Sequence, residues 1–358
     1  MKKYIIMLTI IVIIPIFCLP VSAEEPTDEY LSEFENILPD WLSGVTEDAD
    51  RLLDSVGIRG IISEIVCALK GDEGRIASFA LMLVGCVALT SLAGAMGGKT
   101  GESASSAVGV ICSTLIFGVL SDAFMDISSS FEELNRFFGS LIPISASVIA
   151  FGGGVQSAAV SAGGMYLTMH LVGSFGQQFM FAIAALGLGI SLLTSVGDGG
   201  VGSVARGIRS VFFWILGIFT AVIGAGFALQ TSVASAKDSM TVRAAKYMAS
   251  GLVPLVGSTV SGALSTLASG LSYVKGIIGA ASVIAIVGMV LSPLILLLLY
   301  RLSLSLAGIL SEAMGSSAGR IFDSFRFSLD MIIALYSLSA LIYVFEIILF
   351  IKIGVAVL

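Results

Sequence analysis

The longest run without a formal charge extends from residue 137 to residue 197 and contains 61 residues. A helix that spans the hydrocarbon core of a bilayer needs about 20 predominantly apolar residues, so this run is long enough for two spans. A soluble domain typically has charged side chains at about a quarter of its positions. In this chain 56% of the residues are hydrophobic and 12% are charged. These features predict an integral membrane protein.

Further apolar runs in the chain are also long enough, or nearly so, to cross a bilayer: 76–98, 103–121, 210–236, 247–274, 276–300 and 331–351. The run 247–274 is the weakest, because Gly, Ser and Thr are frequent in it. Together with the two spans of the uncharged run, they give eight candidates. We therefore predict an all-α fold, a polytopic helical membrane protein with seven or eight transmembrane helices over residues 76–358.

Residues 1–23 have the features of a secretory signal peptide. Lys2 and Lys3 precede an apolar stretch over residues 4–19, and Val21-Ser22-Ala23 provides the small residues that a signal peptidase requires. We expect cleavage after Ala23. An uncleaved membrane anchor is the alternative.

Residues 24–75 are acidic, because 14 of the 25 acidic residues lie there against four basic ones. After a cleaved leader, this segment is extracytoplasmic. Its residues Tyr30, Phe34, Ile37 and Leu38 follow helical spacing and predict an amphipathic stripe. The stripe packs on the membrane surface or on the protein's own spans, or it receives a partner. A nucleic-acid partner is not expected, since that requires basic surface.

A proline-containing segment occurs twice, around Pro143 and Pro254, at a separation of 111 residues. Each copy follows a charged linker. The first linker, residues 122–136, is net acidic, whereas the second, residues 237–246, is net basic and ends at Lys246. Because basic loops favour the cytoplasmic side, this difference indicates that the two copies lie on opposite sides of the membrane.

That arrangement predicts an inverted internal repeat with units 103–209 and 210–320, of the kind found in transporters. Coincidence between two Gly- and Leu-rich spans is the alternative. A proline inside a helix frees a backbone carbonyl, which protein or water must satisfy in a membrane. We therefore expect the segments of Pro143 and of Pro254, which includes Gly257, to line the bundle interior or a subunit interface.

Two ionisable residues inside apolar runs are candidates for a site. His170 is the single histidine and has no metal-ligand partner nearby, so it is more typical of a packed or pore-lining residue than of a catalyst. Glu346 is either a functional buried charge or a side chain that reaches the interface near Lys352. We predict no catalytic, cofactor or metal site. The 41 glycines allow close helix contacts and fit an oligomer.

Several parts of the chain resemble the stage III sporulation protein AE family of endospore-forming Firmicutes. The similar parts are the leader, the acidic segment, Lys246-Tyr247 followed by Leu-Val-Pro-Leu-Val-Gly at residues 252–257, and the closing region 325–354. The clearest similarity lies in residues 244–264.

The resemblance implies a multi-pass membrane subunit of a multiprotein channel complex that joins the mother cell to the engulfed forespore. The protein would lie in the mother-cell-derived membrane around the forespore and support late forespore development. Its partners would be the other subunits and membrane lipid, with no enzymatic activity. A stand-alone secondary transporter of a small solute is the alternative, and it requires buried charge for ion coupling.

Overall fold

The computed structural model describes residues 58–151, 155–193, 201–252 and 257–355, together with positions 32, 34–39 and 42. The predicted signal peptide and most of the predicted acidic segment lie outside this part of the chain. The described part consists of helices and a few short turns, and it contains no strand. The predicted all-α class is therefore confirmed.

Seven α-helices and one π-helical segment make up the four long described ranges. They are α1 (Ile58–Ala95), α2 (Gly98–Phe151), α3 (Val155–His170), the π segment (Leu171–Met180), α4 (Phe181–Leu193), α5 (Val201–Leu252), α6 (Gly257–Ala313) and α7 (Gly319–Val355). Helix α2 has 54 residues, which corresponds to a length of about 80 Å at 1.5 Å per residue.

Six helical stretches in the described residues are long and apolar enough to cross a membrane. They are Gly71–Ala95, Gly98–Phe151, Val155–Leu193, Ser203–Ser232, Val274–Ala313 and Gly319–Lys352. The chain is thus a polytopic helical membrane protein, and the predicted number of seven or eight spans is approximate.

Most of the predicted span 247–274 lies outside the residues in which these stretches were identified. In the described part of the chain, charged residues do not end the helices. The predicted loop at residues 122–136 is a continuous part of α2, and Lys275 lies within α6. A charged side chain changes the solvation of one helix face, but the backbone hydrogen bonds of the helix continue past it. The two described turns between helices occur instead at glycine: Gly97 before α2 and Gly315 before α7 have φ angles of 67° and 63°, which glycine adopts without a Cβ clash.

The two glycine turns lie side by side at one end of the bundle. The Thr90 hydroxyl of α1 is 2.6 Å from the Ser316 hydroxyl of the α6–α7 turn. The Ser105 hydroxyl of α2 is 2.8 Å from that of Ser317 in the same turn. These hydroxyl pairs fix the ends of two helical hairpins against each other.

Helix α7 lies at the centre of the bundle and contacts α2, α3, the π segment, α4, α5 and α6. Its apolar stretch is the most buried of the six, whereas that of α5 is the least buried. Aromatic contacts fix its position against α2, since the Tyr343 ring stacks on Phe138 with a centroid separation of 4.3 Å. The interior of the bundle is therefore lined largely by side chains of α7.

Part of the predicted amphipathic stripe packs on the protein's own core. Phe34 and Leu38 of this stripe are buried, as is Leu42 beyond Pro39, and all three belong to the same apolar cluster as the helix interiors. Of the two interpretations of the stripe, the structure favours packing on the chain itself.

Candidate functional site

Glu346 on α7 has no exposed surface and faces α3 and α5. The Thr168 hydroxyl of α3 donates to its Oε2 atom at 3.2 Å, and the Gln230 amide of α5 donates Nε2–H to its Oε1 atom at 2.8 Å. Each carboxyl oxygen therefore has one neutral donor. The side chain does not reach the interface near Lys352, which was one of the two sequence-based interpretations.

Gly164 allows α5 to bring Gln230 close to the carboxyl group. It lies one turn before Thr168 on α3, and a Cβ atom at this position would overlap the amide group of Gln230. At the preceding residue, Gly163, an added Cβ atom would meet nothing within 4 Å. The contact between Gln230 and Glu346 thus depends on one specific glycine.

A second polar contact lies one turn along α7. The Tyr343 hydroxyl donates to the Asn135 Oδ1 atom of α2 at 2.5 Å. The Asn135 side chain also lies against Gly173 of the π segment, where an added Cβ atom would be 3.0 Å from its Nδ2 atom. Segments of π-helix inside α-helices are frequent at functional sites, and this one lies beside the polar contacts of α7.

A cluster of hydroxyl groups lies further along α7. The Ser191 hydroxyl of α4 is 3.0 Å from the hydroxyls of Ser328 and Ser324. Ser328 precedes Glu346 by 18 residues, which is about 27 Å along a helix. Uncharged polar groups therefore occur along α7 over a distance similar to the thickness of a bilayer core.

Two ion pairs join different helices of the bundle. Arg301 of α6 binds Asp330 of α7 through Nε and a second guanidinium nitrogen, with the two side chains 15% and 10% exposed. Arg75 of α1 binds Asp126 of α2 at 2.8 Å, and these side chains are about half exposed. Only the first pair is shielded enough from solvent to have a large energetic effect.

Lys275 on α6 is a buried cation with an unusual environment. Its ammonium group lies 4.9 Å from the ring centroid of Phe350 on α7, one turn beyond Glu346. In the described part of the chain, this ammonium group has no hydrogen-bond partner. A cation over an aromatic face is attracted by the electron density of the ring, which offsets part of the cost of burial.

The structure separates the other sequence-predicted residues from Glu346. His170 is exposed and makes an edge contact with Tyr166 on the outer side of α3. Pro143 is exposed within α2, although the neighbouring Ser145 is buried against Met165. Pro254 and the side-chain surroundings of Lys246 and Gly257 lie outside the described residues.

Glu346 is recognisable from the sequence, whereas Thr168, Gln230 and Asn135 are not. All three residues are uncharged. Thr168 lies 178 positions before Glu346 in the sequence, and Gln230 lies 116 positions before it. The available signal is the amide itself: Gln230 lies within the apolar run 210–236, where an amide needs a buried partner. No group of three or more potential metal ligands occurs in the residues that the structure describes.

The family model for stage III sporulation protein AE matches residues 51–358, which include every residue of this site. The chain belongs to this family. Stage III sporulation protein AE of Bacillus subtilis (strain 168) is 23% identical over 260 residues, which are 72% of this chain and 65% of that relative. The match thus covers slightly less than two thirds of the relative's length. No solved structure matches this member of the stage III sporulation protein AE family.

The contact between Tyr343 and Asn135 gives a first testable prediction for this family member. We expect Tyr343→Phe to lower the free energy of unfolding by about 1 kcal/mol, because the Asn135 oxygen loses its donor. Unfolding of the purified protein in detergent micelles measures this change. Tyr166→Phe is the matched control, since Tyr166 is exposed and its ring contact with His170 is retained. Equal effects of the two substitutions would contradict the prediction.

Proposed function

We propose that this protein is a membrane subunit of a multiprotein sporulation channel complex that links the mother cell and the forespore. In this proposal it lies in the mother-cell-derived membrane around the forespore and supports late forespore development. It has no enzymatic activity of its own, and its partners are the other subunits and membrane lipid. The observation that supports the proposal is the family match over residues 51–358, which covers the six apolar stretches.

The outer surface of the bundle is consistent with this role. The apolar stretch of α5, Ser203–Ser232, is the least buried of the six, and Val211, Trp214, Ile218 and Val222 are exposed on it. Large apolar side chains on the outside of a transmembrane helix face lipid or another subunit. Helix α5 therefore offers surface for contacts within an assembly.

One face of α2 carries exposed charged residues close to the apolar part of the bundle. Glu133 and Arg136 are exposed and flank Asn135, whose side chain binds Tyr343 within the apolar stretch of α7. Charged side chains at the depth of an apolar membrane stretch are costly when they face lipid. We infer that this face of α2 contacts a water-filled path or a polar surface of another subunit.

Recovery of the complex from sporulating cells tests the proposal. A tagged chain replaces the native copy in the spore-forming host, and intact cells are cross-linked before the membranes are solubilised. We expect other sporulation membrane proteins to be recovered with it, and late forespore gene expression to stop when the gene is deleted. The variant Glu133→Ala/Arg136→Ala should be recovered with fewer partners at an unchanged protein level. Glu312→Ala, at an exposed residue of α6, is the control.

A stand-alone secondary transporter is the second candidate, and the buried carboxyl group of Glu346 is the observation that favours it. Purified protein in liposomes distinguishes the two candidates. Uptake of a small solute that is driven by an ion gradient, without any other sporulation protein, would contradict the proposal of a channel subunit. Recovery of the chain without other sporulation proteins would contradict it too.

A further inference from the structure

The carboxyl group of Glu346 is buried without a neutralising cation in the described part of the chain. Its two contacts, Thr168 and Gln230, are uncharged. Charged or titratable side chains that the structure describes on the helices around it have other surroundings. Lys275 of α6 lies over Phe350, and Tyr343 of α7 binds Asn135 of α2. His170 of α3, Lys352 of α7, and Arg206 and Arg209 of α5 are exposed. An ionised carboxylate in such surroundings is costly.

The partners of Glu346 suit a carboxyl group that gains and loses a proton. An ionised carboxylate accepts from both the Thr168 hydroxyl and the Gln230 amide. A neutral carboxyl group has an O–H donor on one oxygen, and a hydroxyl group accepts as well as it donates. Thr168, which lies 3.2 Å from Oε2, can therefore reverse its role, while Gln230 continues to donate to Oε1 at 2.8 Å.

The same distances disfavour a metal cation. Both carboxyl oxygens are already in direct contact with protein donors, and one of these donors is an amide N–H group. A cation such as Ca²⁺ or Mg²⁺ needs several oxygen ligands arranged around the space that it occupies. Neither the number of oxygens nor the spacing around Glu346 meets this requirement, whereas a proton needs no additional space.

Two buried hydroxyl groups lie between Thr168 and the N-terminal end of α3. Ser157 and Ser161 lie on the same face of α3 as Thr168, because the separations of 11 and seven residues are close to whole turns. Both serines are buried, and their hydroxyls have no hydrogen-bond partner among the described residues. Buried hydroxyls without a protein partner are positions where ordered water binds.

We propose that Glu346, Thr168 and Gln230 form a proton-binding site inside the bundle, and that Ser157 and Ser161 mark the route by which the proton enters. The bundle holds the carboxyl group in its neutral form, with the added proton on Oε2 and donated to Thr168. The proton comes from water at the end of the bundle where α3 begins. This site is a property of the single chain and does not depend on the channel complex.

Infrared spectroscopy of the purified protein in lipid nanodiscs tests the site directly. The C=O stretching band of a protonated carboxyl group shifts when the sample is transferred to D₂O. We expect this band at neutral pH in the native chain, its loss in Glu346→Gln, and its retention in Glu312→Gln. Thr168→Val should shift the band, because the carboxyl group loses its hydroxyl partner, and Thr168→Ser should restore it. The Thr168 variants test the site even if Glu346→Gln does not fold.

The entry route has its own measurement on the same samples. We expect Ser157→Ala/Ser161→Ala to slow the D₂O-induced shift several-fold without destabilising the bundle, since removal of unpartnered hydroxyls costs little. An unchanged exchange rate would overturn this route.

Three results would overturn the proton site. The first is the absence of a protonated-carboxyl band in the native chain at neutral pH. The second is the same band in Glu346→Gln, which would assign it to another residue. The third is loss of the band on addition of Na⁺ at constant pH, which would make the position a sodium site. None of these measurements involves partner proteins, so failure of the channel proposal would leave their outcome unaffected.

Discussion

Replacing Asp330 with alanine is expected to destabilise the bundle by about 3 kcal/mol, because the largely buried guanidinium group of Arg301 then loses its carboxylate. The pair connects α6 to α7, which are the two helices with the most extensive mutual contact. Denaturant-induced unfolding of the purified protein in detergent micelles measures the effect. A loss of folded protein during expression is the corresponding result in cells.

A second ion pair on α7 provides the matched control for this prediction. Asp323 binds Arg326 at 2.8 Å, but both side chains are substantially exposed. Exposed pairs contribute little, so Asp323→Ala should change the stability by less than about 1 kcal/mol. The double variant Arg301→Leu/Asp330→Leu should recover most of the loss, since apolar residues replace a buried pair at small cost. An effect of Asp330→Ala as small as that of Asp323→Ala would show that water reaches the Arg301 pair.

The helical class follows from the sequence because long apolar runs leave the backbone no other way to satisfy its polar groups in a bilayer. The number of helices does not follow as directly. Residues 122–136 have the composition of a loop, yet they continue α2, because their charged side chains lie on a face that remains exposed. Glycine with positive φ, at Gly97 and Gly315, marks the two turns between helices that the structure describes. A helix break is determined by backbone geometry and only indirectly by polarity.

The site around Glu346 is also only partly recognisable from the sequence. Glu346 is recognisable in the sequence because a carboxylate within an apolar run is rare and costly. Its surroundings are not recognisable, since Thr168 and Gln230 come from different helices and each is an ordinary polar residue in its own run. Proximity to Lys352 along the chain suggests an interfacial carboxylate. The tertiary contacts override this local signal, because α3 and α5 cover the carboxyl group completely.

The pair of adjacent glycines on α3 allows the contact between Gln230 and Glu346 to be tested without changing either residue. Gly163→Ala and Gly164→Ala both replace glycine within a helix, which favours folding by about 1 kcal/mol in each case. Only the Cβ atom at residue 164 would overlap the Gln230 amide and turn it away from the carboxyl group. We therefore expect Gly164→Ala to be less stable than Gly163→Ala by about 1–3 kcal/mol, the cost of a lost hydrogen bond to a buried group.

A double-mutant cycle separates this effect from general crowding on α3. In a Gln230→Ala background the amide is absent, so Gly164→Ala should no longer be less stable than Gly163→Ala. The infrared band of the Glu346 carboxyl group should shift in Gly164→Ala and remain unchanged in Gly163→Ala, because only the first substitution removes the donor to Oε1. If the two alanine variants have equal stability and equal spectra, Gln230 accommodates the added methyl group while it stays bound. The close approach of α3 and α5 would then be a packing feature that does not control the carboxyl group.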